Sequence, residues 1–199
     1  MGNRETSSEL QLFALVLAAG TASRFGASKQ CQAFRGEPLV RRAVRLAEAS
    51  CGRNSILITG SEWRRVADAG KPLAGFFVLN DQFEQGLASS IACGVRAVST
   101  VADAVLLLLA DQPRISTAHL TELISRWSAA PQQILATAYA GTVGPPVIFP
   151  QSYFAELMAL QGDQGARPVL DKNAAVLETI HFEDAAIDID TPADLERLR

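Results

Sequence analysis

The chain has 199 residues, of which 48% are hydrophobic and 20% charged, and 18 Lys and Arg against 21 Asp and Glu leave a formal net charge of −3. That length is slightly more than one usual domain, and it can bury a core without disulfide or metal staples. Well-mixed charges of both signs speak against a nucleic-acid or membrane partner, where a basic stripe is expected.

Residues 1–10 (MGNRETSSEL) are polar and read as a disordered tail with no secretory signal; residues 11–199 read as a single domain. Leu12–Leu17 is an apolar run of the kind found in strands buried on both faces. It breaks at Ala18-Ala19-Gly20. Pro38–Ala49 has helical spacing, with Leu39, Val40, Ala43, Val44, Leu46 and Ala47 on one side. Asn54–Thr59 reads as a strand, Ser61–Ala69 as a helix opening on a Ser cap, and Phe76–Leu79 as a strand. Gly86–Val98 is a small-residue helix. Ala104–Ala110 is the most apolar strand and too short to span a bilayer. Ser116–Ala129 is a helix with Thr121, Glu122 and Arg126 facing out. Gln133–Tyr139 and Val147–Phe149 are strands around a loop at 141–146. Gln151–Leu160 and Asp163–Asp171 read as helices, Val176–Phe182 and Ala186–Asp190 as strands, and Pro192–Leu198 as a final helix capped by Thr191. Strands alternating with helices in this way predict an α/β sandwich, a mainly parallel twisted sheet with helices on both faces.

Cys31, Cys51 and Cys93 are odd in number and lack C-x-x-C or zinc spacing, so free thiols in a reducing compartment, and hence a soluble cytoplasmic protein, are expected.

In such sheets ligands bind outside the carboxyl ends of the strands. Three loops fall there. The first, Leu17 to Lys29, is rich in small residues that leave backbone N–H groups free, and its Arg24 and Lys29 suit phosphate. It has neither the dinucleotide glycine fingerprint nor a P-loop, and an ordinary turn with two solvated cations is the competing reading. The second places Asp111 directly after the most apolar strand, where a carboxylate needs a cation or donors; a hard divalent ion suits it, and capping a turn before Pro113 is the alternative. In the third, Asp188 and Asp190 would share one face of a strand, Asp188 as a metal ligand and Asp190 in a capping or supporting role. Gly162 to Leu170 reads as a helix N-terminus that would grip an anion with the help of Arg167, or else hold Arg167 in a surface ion pair. His119 and His181 read as surface or satisfied core residues.

Together these loops resemble the MobA-like NTP transferases, and within that group the molybdenum cofactor cytidylyltransferases. The matching segments are LAAGTASRFGASKQ, Asn80 with Gly86-Leu87-Ala88-Ser89-Ser90-Ile91 and Gly94, LLLADQP, Gly144-Pro145-Pro146-Val147-Ile148-Phe149, Gly162-Asp163-Gln164-Gly165-Ala166-Arg167, and Asp188-Ile189-Asp190-Thr191-Pro192. The resemblance implies a Rossmann-like, GT-A-like nucleotidyltransferase. In it Leu17, Ala18, Ala19 and Gly20 would hold base and ribose, and Arg24 and Lys29 the triphosphate. Gly86, Ser89 and Ser90 would lie against the base, and Asp111 and Asp188 would hold Mg²⁺, with Mn²⁺ as the alternative. Gly144, Pro146, Gly165 and Arg167 would line the acceptor pocket. Ala18-Ala19-Gly20 favours CTP over GTP. The acceptor would be molybdopterin cofactor, and a molybdoenzyme or its maturation factor a partner. A sugar, alditol or isoprenoid phosphate acceptor, or a non-catalytic pterin carrier, are the alternatives. Where the family's acceptor loop often reads Gly-His-Pro, this chain has Gly144-Pro145-Pro146; the departure bears on the acceptor more than on the nucleotide.

Overall fold

The computed structural model describes residues 10–20 and 28–198. The tail expected at 1–10 falls almost wholly outside them, as does Arg24. Strand β1 (Leu12–Ala18) leads through a short turn to a small hairpin, β2 (Ala33–Phe34) and β3 (Glu37–Pro38), and then to helix α1 (Leu39–Cys51). There follow β4 (Ser55–Thr59), α2 (Trp63–Ala69), β5 (Phe76–Leu79), α3 (Leu87–Val98), β6 (Ala104–Leu109) and α4 (Thr117–Ala129). The last third holds β7 (Leu135–Tyr139), β8 (Thr142–Pro150), α5 (Phe154–Met158), α6 (Arg167–Lys172), β9 (Glu178–His181) and α7 (Pro192–Arg197).

Seven strands form one sheet in the order β5-β4-β1-β6-β8-β7-β9. β8 alone runs against both its neighbours, and the remaining pairings are parallel. The expected mainly parallel, doubly covered sheet is therefore the architecture observed. Alternation along β1 shows why it needs two helical layers. Ala14, Val16 and Ala18 join a core with Val40, Val44, Leu120 and Leu123 of α1 and α4. Leu15 and Leu17 face the other way, into a core with Ile91 and Val95 of α3, Leu157 of α5 and Leu170 of α6. Each fully buried Leu or Ile on these faces contributes about 1.5–3 kcal/mol by leaving water.

A third, smaller cluster matters more for the site. Phe34 of the hairpin and Leu39 of α1 pack on Ile189 and on Leu195 of α7. Helix α7 is set by a capping box, in which the Thr191 side chain accepts from the Asp194 N–H and the Asp194 carboxylate accepts from the Thr191 N–H. The C-terminal segment is thereby folded back over the carboxyl edge of the sheet.

Four expectations are corrected. Ser61 does not cap α2; Glu62, in the left-handed region at φ 51°, occupies the cap position without a side-chain bond. The loop expected at 141–146 is mostly strand, because β8 begins at Thr142 and pairs along β7 through an irregularity at Ala136/Thr137. Residues 163–166 are not helical: Gly162 and Gly165 adopt φ of 74° and 58°, and α6 starts only at Arg167. Residues 186–190 form no strand; a short 3₁₀ turn ends at Ala186 and the chain runs on extended.

Candidate active site

β1 and β6 are adjacent and parallel, with Leu17 opposite Leu109, so their carboxyl ends deliver two loops to one place. The Ala110 N–H donates to the Leu17 carbonyl at 3.2 Å, extending that registry one step past the strand. Ala18, Ala19 and Gly20 thus stand beside Asp111. The 3₁₀ turn Lys29–Cys31 brings the chain back to the same edge. Gln30 is buried and its amide donates to the Gly20 carbonyl at 3.2 Å, which ties the turn to the loop.

Lys29 reaches two carboxylates, donating to Asp111 Oδ2 at 2.7 Å and to Asp190 Oδ1 at 2.9 Å. Burial alone would lower its pKa, but the charge and hydrogen bond of Asp111, joined by Asp190, outweigh burial and leave it raised, so the ammonium is firmly charged. The other Asp111 oxygen, Oδ1, is buried without a hydrogen-bond partner. A carboxylate oxygen in that condition is costly unless a cation or donor meets it.

Asp188 and Asp190 reach this point through the residue between them. The Ile189 N–H donates to the Asp111 carbonyl at 3.0 Å, and the Ile189 side chain is fully buried in the cluster with Phe34 and Leu195. Backbone bond and apolar anchor together hold both flanking aspartates against Asp111. Partial burial, then repulsion from Asp111 and Asp190, push the Asp188 carboxyl up to about 7. Since Asp188 remains open to water, crowding by like charges is the strain that a bound cation would relieve. Asp190 does not cap α7, whose capping box is made by Thr191 and Asp194; it pairs with Lys29 instead.

A cleft of about 310 Å³ opens here, lined by Leu17, Ala19, Gly20, Lys29 and Asp111 on one side and by Gly86, Leu87, Ser90 and Asp163 on the other. Gly86 has φ 94°, and a Cβ on it would lie 2.2 Å from Asp163 Oδ1 and 2.7 Å from the Gly162 carbonyl, so any side chain would force the cleft wall apart. The buried Asn80 amide donates to Ser89 Oγ at 2.9 Å and to Ser90 Oγ at 3.1 Å, fixing the first turn of α3. Ser90 faces the cleft; Ser89 lies on its neighbour, a groove behind α3.

The residues expected to line an acceptor pocket do not converge in the same way. Gly144 lies on β8 under the Tyr139 hydroxyl. Pro146 is buried, follows a cis peptide bond, and its carbonyl accepts from Thr137 Oγ1 at 2.7 Å. Gly165 packs on Leu87. Arg167 is exposed and pairs with Asp171 at 3.7 Å. Residues 162–166 are not helical and the helix N-terminus read from the sequence falls later, at Arg167; the Asp163 carboxylate accepts from the Leu87 N–H at 3.3 Å. His119 is a satisfied core residue, 2.8 Å from Thr137 Oγ1 and stacked on Phe182, while His181 is at the surface. Sequence reasoning gave no role to Gln30, which lines the cleft and pins the turn to Gly20. Gln30 follows directly on Lys29 and belonged to the quoted signature, which was the one available signal.

The donor chemistry suits a hard divalent cation. Among the described residues no group of three or more His, Cys, Asp or Glu stands ready around one ion. Asp111 with its unpartnered Oδ1 and Asp188 with its crowded carboxyl are oxygen donors of the type a hard divalent cation prefers, and two alone would leave further positions for other oxygen ligands. Among the described residues, no helix is long and apolar enough to cross a membrane.

Comparison with known proteins agrees with this layout. A MobA-like NTP transferase domain model matches residues 14–176. The chain is 30% identical to the purine catabolism protein PucB of Bacillus subtilis, over 94% of this chain and 96% of that one. It is 28% identical to a probable molybdenum cofactor guanylyltransferase of Synechococcus elongatus, over 94% and 97%. Among solved structures, Rv0371c of Mycobacterium tuberculosis superposes with a TM-score of 0.84 at 27% identity, over 96% of this chain and 98% of that one, and a manganese complex of Rv0371c is also similar (TM-score 0.77, 25% identity, 94% and 97%). Strands, cleft and matched sequence together place the chain in the MobA-like NTP transferase family, as a nucleotidyltransferase.

Proposed function

We propose that the chain transfers CMP from CTP to the phosphate of a molybdopterin-type cofactor and releases pyrophosphate. The observation that carries this reading is the Asp111 carboxylate at the end of β6, unpartnered at Oδ1 and facing a triphosphate-sized cleft with Lys29 and Asp188 beside it. The backbone of Leu17, Ala18, Ala19 and Gly20 would hold base and ribose, with Gly86 and Ser90 on the opposite wall and Ser89, which faces the neighbouring groove, supporting it through Asn80. Ala18-Ala19-Gly20, the pattern that goes with CTP in the cytidylyltransferases the chain resembles, supports a pyrimidine, and Ala19 lines the cleft.

An acceptor phosphate oxygen attacks the α-phosphorus in line, a new P–O bond forms, and the bond to pyrophosphate breaks. The nucleophile is already anionic at neutral pH, which fits a cleft with no histidine among the described residues that line it. Lys29, firmly charged, would exchange a carboxylate for the triphosphate and neutralise charge on the leaving group, with Arg24 in the same task. Asp111 and Asp188 would hold a divalent cation, which supplies charge neutralisation across the phosphates. Positioning and electrostatics supply the catalysis.

A guanylyl reading is favoured by the Synechococcus relative. Pyrophosphate release with each of the four NTPs, in the presence of molybdopterin cofactor, decides between them. CTP is expected to lead; release with GTP alone would overturn the donor assignment, and release with none would overturn the transfer reading.

A further inference from the structure

Phe34 carries two guanidinium groups. Arg35 Cζ lies 5.1 Å and Arg42 Cζ 5.9 Å from the centroid of its ring, within reach of a cation–π contact. The ring itself is buried and packs on Ile189 and Leu195. A third guanidinium, that of Arg114, joins them around a cavity of about 260 Å³ that Pro113 and Asp184 complete. Three separate elements deliver these side chains: the turn between β2 and β3, the first turn of α1, and the loop after β6.

Their charge is not balanced. Arg114 pairs with Asp184 at 3.2 Å. Arg42 donates through Nε to the Pro113 carbonyl, which pins it to the loop that begins at Asp111. Neither Arg42 nor Arg35 pairs with a carboxylate among the described residues. Glu37, on the same hairpin as Arg35, is held by two nitrogens of Arg45 at 3.1 Å each. Burial first, then the charge of Arg45 and more weakly that of Arg35, push the Arg42 guanidinium down against the pull of Glu37, yet it stays charged at neutral pH. The backbone gives no reason for an arginine in the turn. Arg35 and Gly36 stand at φ 51° and 83°, the left-handed region that such a two-residue turn demands and that Asn, Asp or Gly enters more easily. What the position gains from Arg35 is the guanidinium.

We propose that this cavity is an anion site apart from the catalytic cleft, in which Arg35, Arg42 and Arg114 take a phosphate group, free or carried on a small metabolite. It shares no lining residue with the cleft. Its volume falls below the range of about 300–1,000 Å³ usual for a whole ligand, so it receives one anionic group rather than a nucleotide. Guanidinium forks match phosphate oxygens, and the Phe34 ring keeps two of them together. The site stands independently of the nucleotidyl-transfer reading above.

The test is calorimetric titration of the full chain, metal-free and at low ionic strength, with inorganic phosphate and with glucose 1-phosphate as probes. Arg35→Gln and Arg114→Gln are each expected to weaken binding about tenfold, as loss of a charge-assisted fork does, with the thermal midpoint near wild type. Arg53→Gln removes an exposed positive charge away from the cavity, and Lys29→Gln removes the cation of the cleft; both should keep the site. Equal weakening in Arg35→Gln, Arg114→Gln and Arg53→Gln would mean diffuse charge attraction and would overturn the proposal. Loss in Lys29→Gln alone would put the anion in the cleft and overturn it as well, and so would a wild type that binds neither probe at millimolar concentration. Where the site binds, tighter glucose 1-phosphate marks a phosphate carried on a metabolite, and equal or tighter inorganic phosphate marks the free ion; both outcomes support the site.

Discussion

The two halves of the sheet build their share of the cleft by different means. In the parallel half, β5-β4-β1-β6, the site residues sit one or two positions past the end of a buried strand. β4 is buried at every position and β6 at all but its last, and the chain can leave such strands only at the sheet edge. Asp111 and the Ala18-Ala19-Gly20 turn are thus placed by the strands themselves. In the mixed half, β8-β7-β9, and in the C-terminal segment beyond it, placement depends on insertion. Ile189 wedges between the hairpin and α7, and Asp188 and Asp190 go where Ile189 goes. The comparison teaches that the end of the cleft assigned to nucleotide is specified by local chain direction, and the far end by tertiary contacts that a change elsewhere can unseat.

The most severe break falls on the parallel half. Asp111→Ala removes a side chain but no strand contact, so thermal unfolding should be little altered while turnover falls by about two orders of magnitude or more. The same variant takes one like charge away from Asp188, whose carboxyl should titrate lower as a result. Near-normal turnover in Asp111→Ala would defeat the assignment.

Ile189→Ala strikes the mixed half. It empties a fully buried site, and a loss of about 2–5 kcal/mol of stability is expected in denaturant unfolding. Its effect on function should follow from misplacing Asp188 and Asp190: divalent-metal affinity falls more than nucleotide affinity measured without metal. Equal losses in both would mean that the two halves are not separately placed.

How far the sequence could be read divides along the same line. Strand β5 was legible to the residue although it is the exposed edge of the sheet, a short apolar run bounded by turns, and β1, β4 and β6 were nearly so because strands buried on both faces are continuous apolar runs. Asp111 was legible as the first polar residue after such a run. The strand expected at 186–190 is absent because Ile187 and Ile189 alternate for a different reason: Ile189 fills a pocket made by residues 34, 39 and 195, which no local pattern reveals. The loop expected at 141–146 is strand because β8 takes its hydrogen bonds from β7 even across Gly144 and two prolines. The expected helix start at 163 ignored the left-handed glycines at 162 and 165. The role of Gln30, pinning the turn to Gly20, was hidden among polar residues of unremarkable type.

Acidity offers a subtler way to sharpen the comparison. With its carboxyl pushed up to about 7, Asp188 is largely protonated at pH 6 and must lose that proton to hold a cation. Metal affinity, followed by isothermal titration, should therefore weaken by up to about tenfold per pH unit below 7. In the metal-free protein the sign is reversed for stability. The folded state holds this proton more tightly than the unfolded chain does, so the group's contribution is full below the usual carboxylate range and is lost as pH rises through about 7. Asp188→Asn should flatten both trends. A wild-type metal affinity independent of pH between 5 and 8 would show that Asp188 is not a ligand.

Thr191→Ala is the smallest expected effect and the cleanest probe of how the far end is held. It deletes one acceptor of the capping box, at a cost of about 1 kcal/mol. The Asp194 carboxylate would still accept from the Asp190 and Thr191 N–H groups, and Leu195 would still pack on Ile189. Helix α7 should therefore fray without releasing Ile189, so the thermal midpoint drops by a few degrees while turnover and metal affinity stay near wild type. If turnover instead fell in step with stability, the cap rather than the Ile189 anchor would be what holds Asp188 and Asp190 over Asp111, and the tertiary insertion described above would be secondary to a local one.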